Sequence, residues 1–309
     1  MKAPLFYSKI LLFGEYGIIK NSKGLSIPYN FFKGGFKLGD LNNQEVKKSN
    51  NNLRLFKDFI SKLDNTIVAF DLNKMDNDLN MGMYFDSTIP QGYGVGSSGA
   101  LVAAIYDRYA QNKITVLENL TKEKILVLKH IFSEMESYFH GKSSGLDPLN
   151  SYLSLPILMH SENKVETTWI PSQFYNGKGA VFLLDSGESS DTAPMVEIFF
   201  ESMKNKEYSK IIKEDFINTT DNCVDDFLKA DFKSLFLNIK KLSKVVLKNF
   251  KPMIPEDFHN IWAKGIESND YFLKLCGSGG GGYILGFSQD FEKAKSALRD
   301  YKLEVVYKF

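Results

Sequence analysis

Between Pro90 and Ala100 the chain reads Pro-Gln-Gly-Tyr-Gly-Val-Gly-Ser-Ser-Gly-Ala, with Gly92, Gly94 and Gly96 at alternate positions. Glycine lets a backbone approach a ligand closely, and apolar spacing from Ser98 to Ala110 predicts a helix that begins here. The N–H groups at a helix start form an anion site, so Gly92, Tyr93, Gly94, Val95, Gly96, Ser97 and Ser98 make a candidate phosphate loop. A serine hydroxyl at the same place can reach a metal ion that bridges phosphates. A flexible loop ahead of a helix is the alternative. The proline, the paired serines and the helix onset together favour phosphate binding. No Gly-Lys-Ser/Thr follows, so this is not a Walker loop. No acid-ended second strand sits at the distance a Rossmann unit requires.

The segment Ser144-Gly145-Leu146-Asp147 places a carboxylate on a glycine-containing loop, eleven residues beyond Glu136. A kinase acting on a hydroxyl can use one carboxylate to take its proton. It also needs an acidic or hydroxyl ligand for Mg²⁺. Asp147 and Glu136 are suited to these two tasks. Alone, Asp147 before Pro148 reads as a helix N-cap, and its company with the glycine loop is what favours chemistry. A third signal is Cys276-Gly-Ser-Gly-Gly-Gly-Gly282. So many glycines between two strands weaken a sheet unless a ligand or another backbone passes closely. A plain flexible hairpin is the alternative. The four histidines (His130, His140, His160, His259) share no metal-ligand spacing and read as ordinary surface or helix residues.

These residues need elements to hold them. Leu5 to Ile19 reads as strand, turn at Gly14, strand, and Gly24 to Leu38 as a hairpin broken at Gly34-Gly35. The polar run from Asp40 to Asn52 reads as a loop, and Asn52 to Lys62 as a helix. Met81 to Ile89 reads as a strand running straight into the glycine loop. Lys122 to Phe139 is a long helix with Gly141 as its C-cap, and a short helix follows Asp147. Ala180 to Leu184 is a strand, and amphipathic helices fill Thr192 to Ala263. Tyr271 to Leu275 and Tyr283 to Phe287 flank the late glycine run. A helix over Phe291 to Tyr301 and a strand over Leu303 to Tyr307 end the chain. The seam between two α+β halves falls in Pro171 to Gly179.

The bulk properties exclude several classes. With 43% apolar and 24% charged residues, the 309-residue chain is globular in composition. A net charge of +1 with interleaved signs gives no nucleic-acid groove. No run of eighteen apolar residues exists, so no membrane partner is expected. The apolar stretch Ile10 to Phe13 is too short for a signal sequence, and Cys223 and Cys276 make no disulfide scaffold. A cytoplasmic location follows as the expectation.

The three motifs, in this order, resemble the GHMP kinase superfamily. Lys9-Ile-Leu-Leu-Phe-Gly-Glu-Tyr16 is similar to that family's opening motif, in the lysine form used by mevalonate and phosphomevalonate kinases. The resemblance spans nearly the whole chain and is most similar to mevalonate kinase. It implies an α+β, two-domain fold: residues 1–175, an ATP-binding and catalytic half like ribosomal protein S5 domain 2, and residues 176–309, a ferredoxin-like half. It implies ATP and Mg²⁺ as cofactors and a small-molecule acceptor, mevalonate or a related hydroxy acid, with a homodimer left open. Carried over, Asp147 matches the catalytic aspartate and Lys9 the lysine beside the acceptor. Gly92 to Ser98 match the phosphate loop, with Gly277, Gly279 and Gly280 in the third motif beside it. Ser98 and Glu136 match the Mg²⁺ ligands, and Glu15, Tyr16 and Thr192 fall where the acceptor binds.

The chain departs from mevalonate kinases in two places. Motif one ends Gly14-Glu15-Tyr16 rather than in histidine, as in phosphomevalonate kinases, and no arginine precedes Asp191-Thr192. The fourth glycine of the third motif points back to mevalonate. Phosphomevalonate kinase is therefore the alternative, although no Lys/Arg cluster for a second phosphate is evident. Galactokinase and homoserine kinase fit less well, and the diphosphomevalonate decarboxylase signature is absent. A catalytically inactive GHMP-fold binding protein is the alternative from a different class, opposed by the joint presence of Lys9, Ser98, Glu136 and Asp147.

Overall fold

The computed structural model describes residues 4–115, 120–161, 164–174 and 176–309. Its contacts divide the chain into two compact units that alternate along the sequence. One comprises residues 1–9, 28–90 and 96–155, the other residues 10–27, 91–95 and 156–309. Residue 175, inside the expected seam, lies outside the described residues. Among the described residues no helix is long and apolar enough to cross a membrane.

The chain opens with β1 (Phe6–Phe13) and β2 (Gly24–Leu38). The second strand expected before Ile19 is instead a 3₁₀ turn, Gly17–Lys20, bounded by Tyr16 and Asn21 at positive φ, which ends extended pairing. The expected hairpin at Gly34-Gly35 is one continuous strand. A Cβ on Gly34 would stand 2.4 Å from the Phe85 ring, so this glycine makes room for a neighbour rather than a turn. That neighbour belongs to β3 (Met83–Ser87), antiparallel to the end of β2. The polar run read as a loop holds most of the first helix, α1 (Gln44–Ile60). Asn43 caps it by accepting from the Glu45 and Val46 amides. A short α2 (Leu72–Asn80), unmarked in the sequence, follows.

The rest of the first unit is a helical core of α3 (Ser97–Tyr109), α4 (Lys122–His140) and α5 (Leu146–Leu153). α3 is buried on nearly every side, and small Ala103 and Ala104 allow close packing. Tyr106 meets Phe132 and Tyr152 edge-on at 5.1 and 5.2 Å.

In the second unit Gly24–Ser26 of β2 pairs with β4 (Ile157–Ser161), which pairs with β5 (Lys164–Thr167); the sequence reading missed both short strands. Its other sheet is antiparallel, in the order β7 (Phe272–Leu275), β8 (Tyr283–Ser288), β6 (Ala180–Asp185), β9 (Leu303–Lys308). Helices α6 (Thr192–Ser202), α7 (Lys206–Ile211), α8 (Asn218–Leu228), α9 (Phe232–Asn249), α10 (Phe258–Ser268) and α11 (Phe291–Ala297) complete the unit. Trp262 is fully buried, and its indole N–H donates to Ser243 Oγ at 2.8 Å.

Candidate active site

Within the first unit, β1 delivers Lys9, whose side chain is 5% exposed, to Asp147 with Nζ 3.0 Å from Oδ1. The Asp147 carboxylate is 36% exposed, so the pair has a dry cationic end and an open anionic end. Asp147 sits in the first turn of α5, but the N-cap is Gly145 and makes no side-chain hydrogen bond. The capping alternative for Asp147 therefore gives way to the ion pair. Ser151 Oγ donates to the Tyr7 carbonyl at 2.8 Å and ties α5 to the strand that carries Lys9.

Two glycines bring the starts of α3 and α5 together. A Cβ on Gly99 would lie 2.7 Å from the Asp147 carbonyl carbon, so a larger residue would drive the helices apart. Gly96 caps α3 at φ 80°, where L side chains are strained. A Cβ there would also press on the Lys9 stem at 3.0 Å. The first α3 amide to find an intrahelical acceptor is that of Ala100, which donates to the Gly96 carbonyl. The amides before it turn toward the helix start, the polarity that suits phosphate.

Ser98 Oγ donates to Glu136 Oε1 at 3.0 Å, and Ser143 Oγ donates to Oε2 at 2.5 Å. Glu136 is 3% exposed. Burial, and then the Asp147 charge, push its pKa up to about 8; Ser143, Ser98 and Lys9 pull the other way. A buried carboxylate this short of positive charge is suited to a divalent cation. Among the described residues no group of three or more His, Cys, Asp or Glu could hold a metal, so the site is no closed cage. A hydroxyl and a carboxylate alone do fit Mg²⁺, which commonly takes one or two protein oxygens and completes its shell with water and phosphate. His140 Nε2 also stands 3.2 Å from Ser98 Oγ, a contact the sequence reading did not anticipate. Its only signal was its place one helical turn beyond Glu136.

Within the second unit, Gly92 to Val95 lie against the late glycine loop. A Cβ on Gly94, at φ 76°, would stand 2.3 Å from the Cys276 carbonyl oxygen. The Ser190 amide donates to the Gly92 carbonyl at 3.0 Å, and the Tyr93 and Tyr283 rings meet edge-on at 5.0 Å. Gly277, Gly279 and Gly280 all hold positive φ. Thr192 is exposed at the start of α6, its Oγ1 3.5 Å from Ser278 Oγ. Glu15 and Tyr16 are both buried; Glu15 is ion-paired with Lys274, and the Tyr16 hydroxyl donates to the Ser278 carbonyl at 2.6 Å.

Residues 57–154 match the family model described as GHMP kinases N terminal domain. No curated protein matches the sequence. Among solved structures, mevalonate kinase of L. major with R-mevalonate is 15% identical at TM-score 0.63, covering 97% of this chain and 90% of that one. Methanococcus jannaschii mevalonate kinase is 22% identical at TM-score 0.60, covering 100% and 98%. Streptococcus pneumoniae phosphomevalonate kinase with phosphomevalonate and AMPPNP is 14% identical at TM-score 0.63, covering 99% of both chains. At such identities the likeness is one of fold.

Proposed function

We propose that this chain, which carries the N-terminal domain of the GHMP kinases and has their two-domain fold, transfers the γ-phosphoryl group of ATP to the primary hydroxyl of mevalonate. In this reading residues 1–175 form the ATP-binding and catalytic domain and residues 176–309 the ferredoxin-like domain. The Lys9–Asp147 pair carries the reading, because its open carboxylate can take a hydroxyl proton while its buried ammonium balances charge beside it. Lys9 also lowers the pKa of a hydroxyl placed beside it. The acceptor O–H bond breaks toward Asp147, an O–P bond forms, and the bond from the γ-phosphorus to ADP breaks.

The amides of Gly92 to Ser98 would orient the phosphates, and Gly277, Gly279 and Gly280 would shape the loop that Gly94 packs against. Ser98 and Glu136 would hold Mg²⁺, whose charge offsets that of the phosphate oxygens when bound. As a ligand, Glu136 would be a carboxylate, its proton released to solvent. Thr192 would contact the acceptor.

One feature favours a second reading. Motif one ends in Glu15-Tyr16, the form that resembles phosphomevalonate kinases. A coupled ADP-release assay with mevalonate, phosphomevalonate, galactose and homoserine decides. Mevalonate should give the highest kcat/KM. A preference for phosphomevalonate moves the assignment to that reaction, and nucleotide binding without turnover on any acceptor makes the chain a binding protein.

A further inference from the structure

Glu15 and Tyr16 follow β1 after Gly14, and both side chains are buried and engaged within the protein. Lys274, on β7 just ahead of the late glycine loop, donates Nζ to Glu15 Oε1 and to the Leu275 carbonyl at 2.7 Å. Both side chains are buried, at 3% and 5% exposure. An acceptor contact through Glu15 would have to reach a carboxylate that is buried and already ion-paired. The remaining space beside them is about 10 Å³, room for one water at most. Its wall is otherwise mainly apolar, with Phe216, Leu242, Val246 and Phe250.

Tyr16 is held as tightly. Its φ of 58° is unusual for a bulky residue and persists only where surroundings over-determine it. Here they do: the ring packs on Phe199 and Phe250 at 4.7 and 5.6 Å, and the hydroxyl donates to the Ser278 carbonyl. Two consecutive residues thus grip the late glycine loop twice, at its base through Lys274 and near its tip through Ser278. That loop is what Gly92 to Val95 rest on, with Gly94 packed onto the Cys276 carbonyl and the Tyr283 amide facing the Tyr93 carbonyl at 3.4 Å. A loop of glycines has no stiffness of its own, so its shape must come from such anchors.

We infer that Glu15 and Tyr16 are positioning residues that fix the late glycine loop, and through it Gly92 to Val95, rather than contacts to the acceptor. The inference rests on the kinase reading for its effect on nucleotide, but the anchoring itself can be read without it. Tyr16→Phe removes one hydrogen bond and keeps the ring. The double variant Glu15→Met with Lys274→Met removes the ion pair without leaving a buried charge. Glu15→Gln keeps an oxygen for Lys274 but leaves its ammonium buried without a counter-charge, so it should loosen the loop and lower stability.

The measurements are amide exchange over residues 276–282, equilibrium binding of Mg²⁺–ATP, and KM for the acceptor, all on the full chain. Tyr16→Phe should speed amide exchange in the loop and weaken nucleotide binding three- to tenfold, the worth of one such bond. The double variant should do so more strongly. Acceptor KM should stay within twofold in both. Raised acceptor KM with unchanged exchange and nucleotide affinity overturns the inference. If the wild type binds no nucleotide, the kinase reading fails. Exchange still decides in that case: faster exchange in both variants upholds the anchoring, and unchanged exchange ends it.

Discussion

Asp147→Asn separates chemistry from architecture at the centre of the site. The change is nearly isosteric, and the amide Oδ1 can still accept from Lys9 Nζ at the present 3.0 Å. What disappears is the negative charge. Breaking a fully buried pair costs about 3–5 kcal/mol, and an exposed one about 0–1. Lys9 is 5% exposed and Asp147 36%, so this pair falls between those limits. With a hydrogen bond retained, the loss should sit near the low end, about 1–2 kcal/mol. Part of that is the charge leaving the first turn of α5, about 0.3–1 kcal/mol. Turnover should fall far more, by roughly 10²-fold or more, or about 2.7 kcal/mol of barrier. Coupled ADP release gives kcat, and titration with a fluorescent ATP analogue should give a Kd within threefold of wild type. Lys9→Met should act on the same proton, so the double variant should be little worse than the worse single one. Turnover within tenfold of wild type in Asp147→Asn, with the fold intact, would refute the assignment of Asp147 as proton acceptor.

Three further outcomes follow from the geometry. Ser98→Ala removes a donor to Glu136 and a candidate metal ligand, so it should raise the Mg²⁺ concentration for half-maximal activity and lower turnover; a titration matching wild type removes Ser98 from the metal site. Glu136 keeps its proton in the folded chain to about pH 8 but loses it near 4.5 when unfolded, so without metal its contribution to stability falls as pH rises between those values. Glu136→Gln should therefore flatten the decline in urea midpoint from pH 5 to 8, an effect of order a few kcal/mol, and should weaken Mg²⁺ dependence at pH 8; parallel pH profiles for the two proteins would show that Glu136 is not the group. Gly94→Ala must hold φ 76° and also displace the Cys276 carbonyl, whereas Gly187→Ala at φ 80° meets nothing within 4 Å. By unfolding midpoint Gly187→Ala should cost about 1 kcal/mol and Gly94→Ala at least twice that, with nucleotide affinity lost only in the second.

The sequence was most legible where one segment carries its own signal. The helix from Ser97, the long helix ended by Gly141 and the strands around Cys276–Gly282 all follow from local period and local punctuation. It was least legible where the decisive partner is distant. Gly34-Gly35 reads as a turn by the usual logic of glycine pairs, and only Phe85, on another strand, explains why it is none. The run from Gln44 to Asn52 is polar because α1 turns much of that face outward, and its cap, Asn43, is one asparagine among several.

The same distinction holds inside the site. Lys9, Ser98, Glu136 and Asp147 were found as motifs, yet the proximity that matters is made by Gly96 and Gly99, which leave space, and by Ser143, which supplies a second donor to Glu136. Glu15 and Tyr16 show the limit most sharply. Their motif invites a role at the acceptor, because sequence gives residue type and spacing but not direction. Lys274 lies 259 residues beyond Glu15, and Ser278 lies 262 beyond Tyr16. No periodicity connects such pairs. Only the fold closes both contacts at once, and it turns a motif that reads as recognition into one that holds a flexible loop still.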